Sequence, residues 1–518
     1  MEVLSKLEFN QNNSQKITST MIVRREKFFQ LLTIILWCLA AANILLLIIY
    51  SEFSAFDKSK LNYFFWYIWL IFIPLMIIGI LSLRQWCRYK ITGKTTLLTG
   101  LILISIFLVS IWLINYESYD WCVFLKAWCG EYQNMTWGES LRNITTISDY
   151  TPFYNYFLII FSHLFDLQGC LYAIKYLTFL FSIAMAVVME FIICTIKQSK
   201  FSYLHLACFL ILPPILLESN VWAQCDTIYT TFALLAFYFA LKHRSVLCFI
   251  SLGLSFAIKL QFLFIVPIIF IMLLIRDKDG HKYLSWKWIW LALCMYAINF
   301  LPLFTGANLI DLLKVYFLQI GSQRMLSLNC MNIPFLFENL LQSSYSDQTY
   351  LVLVIIFSII GIAATMALLI LVLRAHHRRC LTAVDLVRYA LCFAMVMVYF
   401  MPKMHDRYFF IAFVLSIIWA IVEPSKLHAL ISAMVSVSLS FAIYTMTVLL
   451  SYTYVTNLIG LILFLKKINI YSMYFGFLLN TIALICLVTP IIRHEIKTHD
   501  DLTKNNARDK ISHGKNNS

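Results

Sequence analysis

Long apolar runs separated by short polar or basic stretches fill the chain from residue 28 to residue 492. A helix needs about 20 apolar residues to cross a bilayer core. On that measure the runs at 28–50, 63–83, 95–114, 170–195, 203–218, 225–241, 245–258, 262–275, 285–304, 351–374, 383–401, 409–422, 428–451 and 471–492 predict about fourteen spans. Several are shorter than 20 residues, which predicts tilted hairpins or broken helices. The fold class expected is an all-α polytopic membrane protein. Residues 1–27 form a polar tail, 28–492 the multispanning domain and 493–518 a second polar tail. The short apolar segment 454–465 reads as re-entrant or interfacial. No inverted internal repeat is visible.

Composition narrows the class. Of 518 residues 61% are hydrophobic and 13% charged, against about 25% charged in soluble proteins. The mean hydropathy is +0.80. Polar residues must cover the outside of a soluble fold, so a soluble enzyme, a disordered chain and a fibrous repeat are excluded. The 14 cysteines are scattered, mostly in apolar runs and with no Cys-x-x-Cys pair. They read as small core hydrophobes.

The net charge of +14 comes from 40 Lys and Arg against 26 Asp and Glu. These basic residues sit in short clusters between apolar runs, which is the positive-inside pattern and not a nucleic-acid groove. Arg24, Arg25 and Lys27 place the N-terminus in the cytoplasm. Alternation then puts Arg84, Arg88, Lys90 and Lys94 inside, with Lys197 and Lys200, Lys242 and Arg244, Arg276 and Lys282, Arg374 to Arg379, and the tail from Arg493. No small-residue cleavage site follows a short apolar stretch, so a removed signal peptide is not expected. Two external loops stand out by length, 115–169 and 305–350, and long loops on a rigid scaffold are where chemistry tends to sit.

The first loop carries Asp120, followed by Trp121, Phe124, Leu125 and Trp128 at helical spacing. That pattern predicts a short amphipathic helix on the membrane surface. Asp120 is then either its N-cap or a functional carboxylate. The loop ends with Tyr150-Thr151-Pro152-Phe153-Tyr154, where Pro152 opens a helix and the aromatic rings serve packing or a sugar face. Gln224 and Asp226 stand at the mouth of a span, where isolated charge is costly. Lys259 and Gln261 interrupt an apolar stretch; the lysine either snorkels or meets a phosphate. Tyr316, Gln319, Asn329 and Asn332 in the second loop offer the donors and acceptors that suit hydroxyl ligands. Lys403, His405, Asp406 and Arg407 crowd the external end of one span. Arg407 matches phosphate geometry and His405 can donate or carry a proton, or else Asp406 and Arg407 hold the bundle mouth together.

In their order these segments resemble the multispanning GT-C glycosyltransferases, in particular bacterial mannosyltransferase-like membrane proteins distantly related to enzymes of GPI-anchor assembly. The resemblance runs from residue 118 to 408. It rests on Asp120-Trp-Cys-Val-Phe124-Leu125-Lys-Ala-Trp128, Tyr150-Thr151-Pro152-Phe-Tyr154, Trp222-Ala-Gln224-Cys-Asp226, Lys259-Leu-Gln261, the loop with Tyr316, Gln319, Asn329 and Asn332, and Met404-His405-Asp406-Arg407-Tyr408. The chain departs from the family where Asp406 replaces the more frequent Glu, where Ser182 lies near a position many relatives give to an acid, and where Asn329-Cys-Met-Asn332 replaces Asn-Ala-Pro-Asn.

The resemblance implies sugar transfer on the external face of a bacterial plasma membrane, from a polyprenyl-phosphate donor to a glycan or lipid-linked acceptor, inverting the anomeric centre. It implies Asp120 as general base, Arg407, His405 and Lys259 around the donor phosphate, and Trp128, Tyr154, Gln224, Asp226, Gln261, Tyr316, Gln319, Asn329 and Asn332 around the substrates. Membrane lipids are the expected surroundings, and neither nucleic acid nor a metal cluster or other cofactor is indicated. The sequons Asn134-Met-Thr136 and Asn143-Ile-Thr145 lie on the expected external side and would matter in a eukaryotic secretory membrane. Two alternatives are a transporter or flippase of lipid-linked saccharides and a noncatalytic subunit of a surface-polysaccharide complex.

Overall fold

The structure, a computed structural model, describes residues 29–37, 61–89, 93–321, 324–341, 345–450 and 471–493. Their regular structure is helical, apart from two two-residue strands and two isolated bridges, Arg276 with Lys282 and Asn329 with His405. Among the described residues seven helices are long and apolar enough to cross a membrane: Tyr67–Gln85, Gly93–Leu113, Leu167–Lys197, Trp286–Thr305, Asp347–Arg378, Ala383–Phe400 and Tyr471–Arg493. The outward faces of several are apolar, with Leu101 54%, Ile80 52% and Ile359 61% exposed. A continuous greasy exterior of this kind is what lipid solvates and water does not. The chain is an all-α membrane protein.

The other apolar runs take shapes that their sequences explain. The run at 203–218 forms Tyr203–Leu210 and Pro213–Trp222, bent by 62°. Pro213 and Pro214 cannot continue the preceding helix but can start a new one. The runs at 225–241 and 245–258 form helices Asp226–Leu241 and Ser245–Ile258, of 16 and 14 residues. At 1.5 Å per residue these reach only about 21–24 Å, short of a core about 30 Å thick. The run at 262–275 divides into a 3-10 turn, Leu260–Phe264, and a helix, Val266–Leu274, with Pro267 in its first turn. Helix Phe410–Val422 is also short. Most of the run at 28–50, the segment 454–465, the tail 1–27 and the tail beyond Arg493 lie outside the described residues.

The two long loops are structured. Residues 115–169 fold into Lys126–Gln133, Trp137–Arg142, Ile144–Ile147 and Pro152–Leu164, preceded by a π-turn at Trp121–Leu125. A capping box of Thr136 and Glu139 opens one of these helices, and Pro152 starts another as its first residue. The apolar stripe expected on the membrane surface packs inward instead. Trp121, Leu125 and Trp128 are at most 8% exposed. In the second loop, helices Leu309–Gly321 and Ile333–Leu340 flank strand β1, Ser327–Leu328. It pairs in parallel with β2, Met404–His405, matching Ser327 with Met404 and Leu328 with His405. Lys403 N donates to Leu326 O at 2.7 Å and Asp406 N to Leu328 O at 3.0 Å. Both long loops thus close over one region of the bundle.

Candidate active site

Three turns meet at this region, each held by specific bonds. The first follows helix Gly93–Leu113. Lys175, fully buried on helix Leu167–Lys197, donates from Nζ to Leu113 O, Ile114 O and Tyr116 O at 2.9, 2.6 and 2.7 Å. These carbonyls close a helix end and would otherwise be short of donors. Ser118 Oγ then donates to Trp222 O at 3.1 Å and accepts from Trp121 N at 3.2 Å. Asp120 follows with helical backbone angles and makes no capping bond. The cap reading of its carboxylate therefore has no bond to rest on.

The second turn is a π-turn, Glu218–Trp222, closed by Ala223 N donating to Glu218 O at 2.8 Å. Ala223 adopts φ 56°, a left-handed conformation uncommon outside glycine. That reversal brings Trp222 and Gln224, on either side of it, to one acceptor. Trp222 Nε1 and Gln224 Nε2 donate to Asp120 Oδ2 at 3.1 and 2.9 Å. Asp226 follows as the first residue of its helix.

The third turn joins β2 to helix Phe410–Val422. Asp406 Oδ1 accepts from Arg407 N at 3.0 Å, and Phe410 N donates to Arg407 O at 2.8 Å. Arg407 points back at the other two turns. Its Nη1 donates to Asp120 Oδ2 at 2.6 Å, and its Nε lies 3.4 Å from Asp226 Oδ2. The guanidinium carbon sits 4.9 Å from the centre of the Trp222 ring, a cation–π arrangement.

Lys259 completes the set. It leaves helix Ser245–Ile258 in extended conformation and donates to both oxygens of Asp226, at 2.8 and 3.0 Å. The rings of Tyr150, Tyr229 and Tyr408 surround its ammonium at 5.5 to 6.0 Å. The charges alternate along one chain: Lys259, Asp226, Arg407, Asp120. The first three are at most 4% exposed, whereas the Asp120 side chain is 14% exposed. Three donors hold Asp120 Oδ2, and Oδ1 makes no hydrogen bond among the described residues. Of the five guanidinium donors of Arg407, one makes a side-chain hydrogen bond.

Electrostatics differ sharply between neighbours. Burial, with Asp120 and Asp226 adding to it and Arg407 opposing, pushes Asp406 up to about 7. Burial and the cations Arg407 and Lys259 hold His405 well below its usual range, so the imidazole is neutral. Burial alone would lower the Lys259 ammonium, but contact with Asp226 outweighs it and keeps the group charged.

The remaining expected site residues divide into two groups. Tyr150 bridges toward the charge chain, its hydroxyl donating to Gln224 Oε1 at 3.1 Å. Trp128 and Tyr154 pack on that ring at 5.6 and 5.3 Å. The Tyr154 hydroxyl and Gln261 Oε1 are buried with no hydrogen-bond partner among the described residues. The second loop does not reach the chain of charges directly. Tyr316 bonds the carbonyl of Phe256 and stacks on its ring. Asn332 caps Ile333–Leu340 through Phe335 N and donates to Val398 O and Met401 O. Asn329, at φ 58°, bridges His405. Gln319 lies on Leu309–Gly321, and its side chain is outside the described part.

Glu218 belongs to this region and was not singled out from sequence. It is fully buried, and among the described residues neither carboxylate oxygen has a hydrogen-bond partner. An acid inside an apolar run is the signal that marks it. Among the described residues one group of side chains is spaced for a cation, Asp277, Asp279 and His281. It lies in the hairpin 276–282, whose Arg276 O meets Cys380 at the far end of helix Ala383–Phe400. No protein-family model matches the chain, and no curated protein matches it.

Proposed function

We propose that the chain is a GT-C-like glycosyltransferase, with about fourteen membrane-embedded segments and both termini cytoplasmic. In this reading it moves a sugar from a polyprenyl-phosphate donor to a glycan or lipid acceptor at the external face. One observation carries the reading. A carboxylate with one oxygen fixed and one open stands beside an arginine with unspent donors, at a buried end of the bundle.

The chemistry suits that pair. Asp120 Oδ1 takes the proton of an acceptor hydroxyl as its oxygen attacks the anomeric carbon. The bond from that carbon to the donor phosphate oxygen breaks, and the electron pair leaves with the phosphate. Arg407 meets the departing charge with N–H groups matched to phosphate. One base on the attacking side accords with inversion. Lys259 does not touch the phosphate in this arrangement; it fixes Asp226, which faces Arg407. Trp128, Tyr150 and Tyr154 form the aromatic wall beside the base.

Asp120→Asn tests the assignment. Asn is nearly the same size and can still accept from Trp222 and Gln224, so the protein should fold. Loss of a general base typically lowers the rate about a hundredfold to ten-thousandfold. The assay is sugar transfer from a polyprenyl-phosphate sugar by purified protein, with folding checked by thermal unfolding. Near-wild-type turnover excludes Asp120 as base. The broken helix beside the site favours a second reading, a flippase of lipid-linked saccharides, because transporters build sites at such breaks. Formation of a glycosidic product in detergent, where no membrane separates two compartments, decides between them.

A further inference from the structure

Resting on that reading, the base and the phosphate-binding arginine are each other's closest partner. Arg407 Nη1 and Asp120 Oδ2 lie 2.6 Å apart, and this is the one side-chain hydrogen bond the guanidinium makes among the described residues. A phosphate arriving at Arg407 therefore meets a site already occupied by a carboxylate of the protein. Both anions suit the same face of a guanidinium.

The surroundings let one partner change while both groups stay in place. Arg407 keeps its position through its other side. Nε faces Asp226, which Lys259 clamps by both oxygens, and the guanidinium rests on the Trp222 ring. Asp120 keeps its position too, because Trp222 Nε1 and Gln224 Nε2 still hold Oδ2. Among the described residues the bond between them is the only charged one that Asp120 makes.

We propose that the Asp120–Arg407 ion pair is a latch opened by the donor, whose phosphate takes Arg407 Nη1 and leaves Asp120 held by neutral donors alone and free to act as base. The donor then binds before the acceptor hydroxyl is activated. A donor without an anionic leaving group does not open the latch. No covalent bond changes in this step; one anion replaces another on the guanidinium.

Binding of a polyprenyl phosphate without sugar to the purified full-length protein tests this. With the latch, Asp120→Asn removes the internal competitor and tightens binding about ten- to a hundredfold, the value of one charged hydrogen bond. Arg407→Lys weakens it. Unchanged or weaker binding by Asp120→Asn, with Arg407→Lys still impaired, overturns the latch and leaves the phosphate role standing. Unchanged binding by both Arg407→Lys and Arg407→Ala removes the phosphate role itself. A measurement on the wild type covers the case in which Asp120→Asn does not fold. In protein carrying carboxyl-labelled aspartate, polyprenyl phosphate should shift an infrared carboxylate band and polyprenol should not. No shift with the phosphate overturns the proposal.

Discussion

Asp406 and Asp120 share a cluster and differ in what holds them. Asp120 has three donors on one oxygen. Asp406 receives one backbone N–H on Oδ1 and has no hydrogen-bond partner on Oδ2 among the described residues. Its burial, reinforced by neighbouring carboxylates, raises it to about 7, above its value in an unfolded chain. The folded state therefore holds this proton more tightly, and stability falls as pH rises from about 4 toward 7. Thermal unfolding of the purified protein should show a Tm that declines over that interval, and Asp406→Asn should flatten the decline. An identical pH profile in the variant refutes it. Much of this cluster is legible in sequence, because Asp226, Lys259 and Arg407 are ionisable residues interrupting apolar runs, where charge is costly. Their partners were not, since pairing across 287 residues leaves no local trace. Lys175 is marked by the same rule, as a lysine inside the apolar run 170–195, although the three carbonyls it serves leave no sign in the sequence.

Elements were easiest to read where a single period decided them. The 31 residues of Leu167–Lys197 and the 32 of Asp347–Arg378 are predominantly apolar, and their apolar runs 170–195 and 351–374 predict spans. The stretch after Asp120 had the right period but the wrong face, since helical spacing says that a stripe is buried without saying in what. The β1–β2 pair had no signal at all, because two residues are too few to show alternation. That pair depends on Asn329, which turns the chain at φ 58° directly after β1. Asn tolerates this conformation and glycine adopts it freely, whereas a β-branched residue resists it by about 1–2 kcal/mol. Asn329→Gly keeps the backbone conformation and should retain more stability and turnover than Asn329→Val. Asn329→Val should lower the unfolding free energy by about that amount and reduce transfer, because His405 lies in the strand paired with β1 and Arg407 follows two residues later. Equal behaviour of the two variants in unfolding and turnover assays argues against this role.

For the whole molecule, the charge cluster and the basic hairpin lie at opposite ends of the same helices. Helix Ala383–Phe400 spans about 27 Å at 1.5 Å per residue, with Arg379 and Asp385 paired at one end and Arg407 beyond the other. Cys122 is exposed beside Asp120, and Cys380 is exposed at the opposite end. If the site faces outward, an impermeant thiol reagent added to intact cells reaches Cys122 and spares Cys380 until the membrane is permeabilised. The reverse pattern turns the molecule over and removes the external site. The one-sided Lys and Arg clusters are the sequence feature from which the outward orientation is expected. The number of true crossings was less readable, because hydropathy cannot separate a span from a helix of 14 to 16 residues buried among its neighbours.

The spacing of the four alternating charges also sets a timetable for biosynthesis. Asp226 and Lys259 lie 33 residues apart on two consecutive helices, so they can neutralise each other as soon as that hairpin leaves the ribosome. Asp120 emerges earlier and waits for Arg407, 287 residues behind it. Until then the nascent protein carries an acid at the lip of an unfinished bundle, and a chain truncated before residue 407 would insert its greasy helices yet never close its own charge balance.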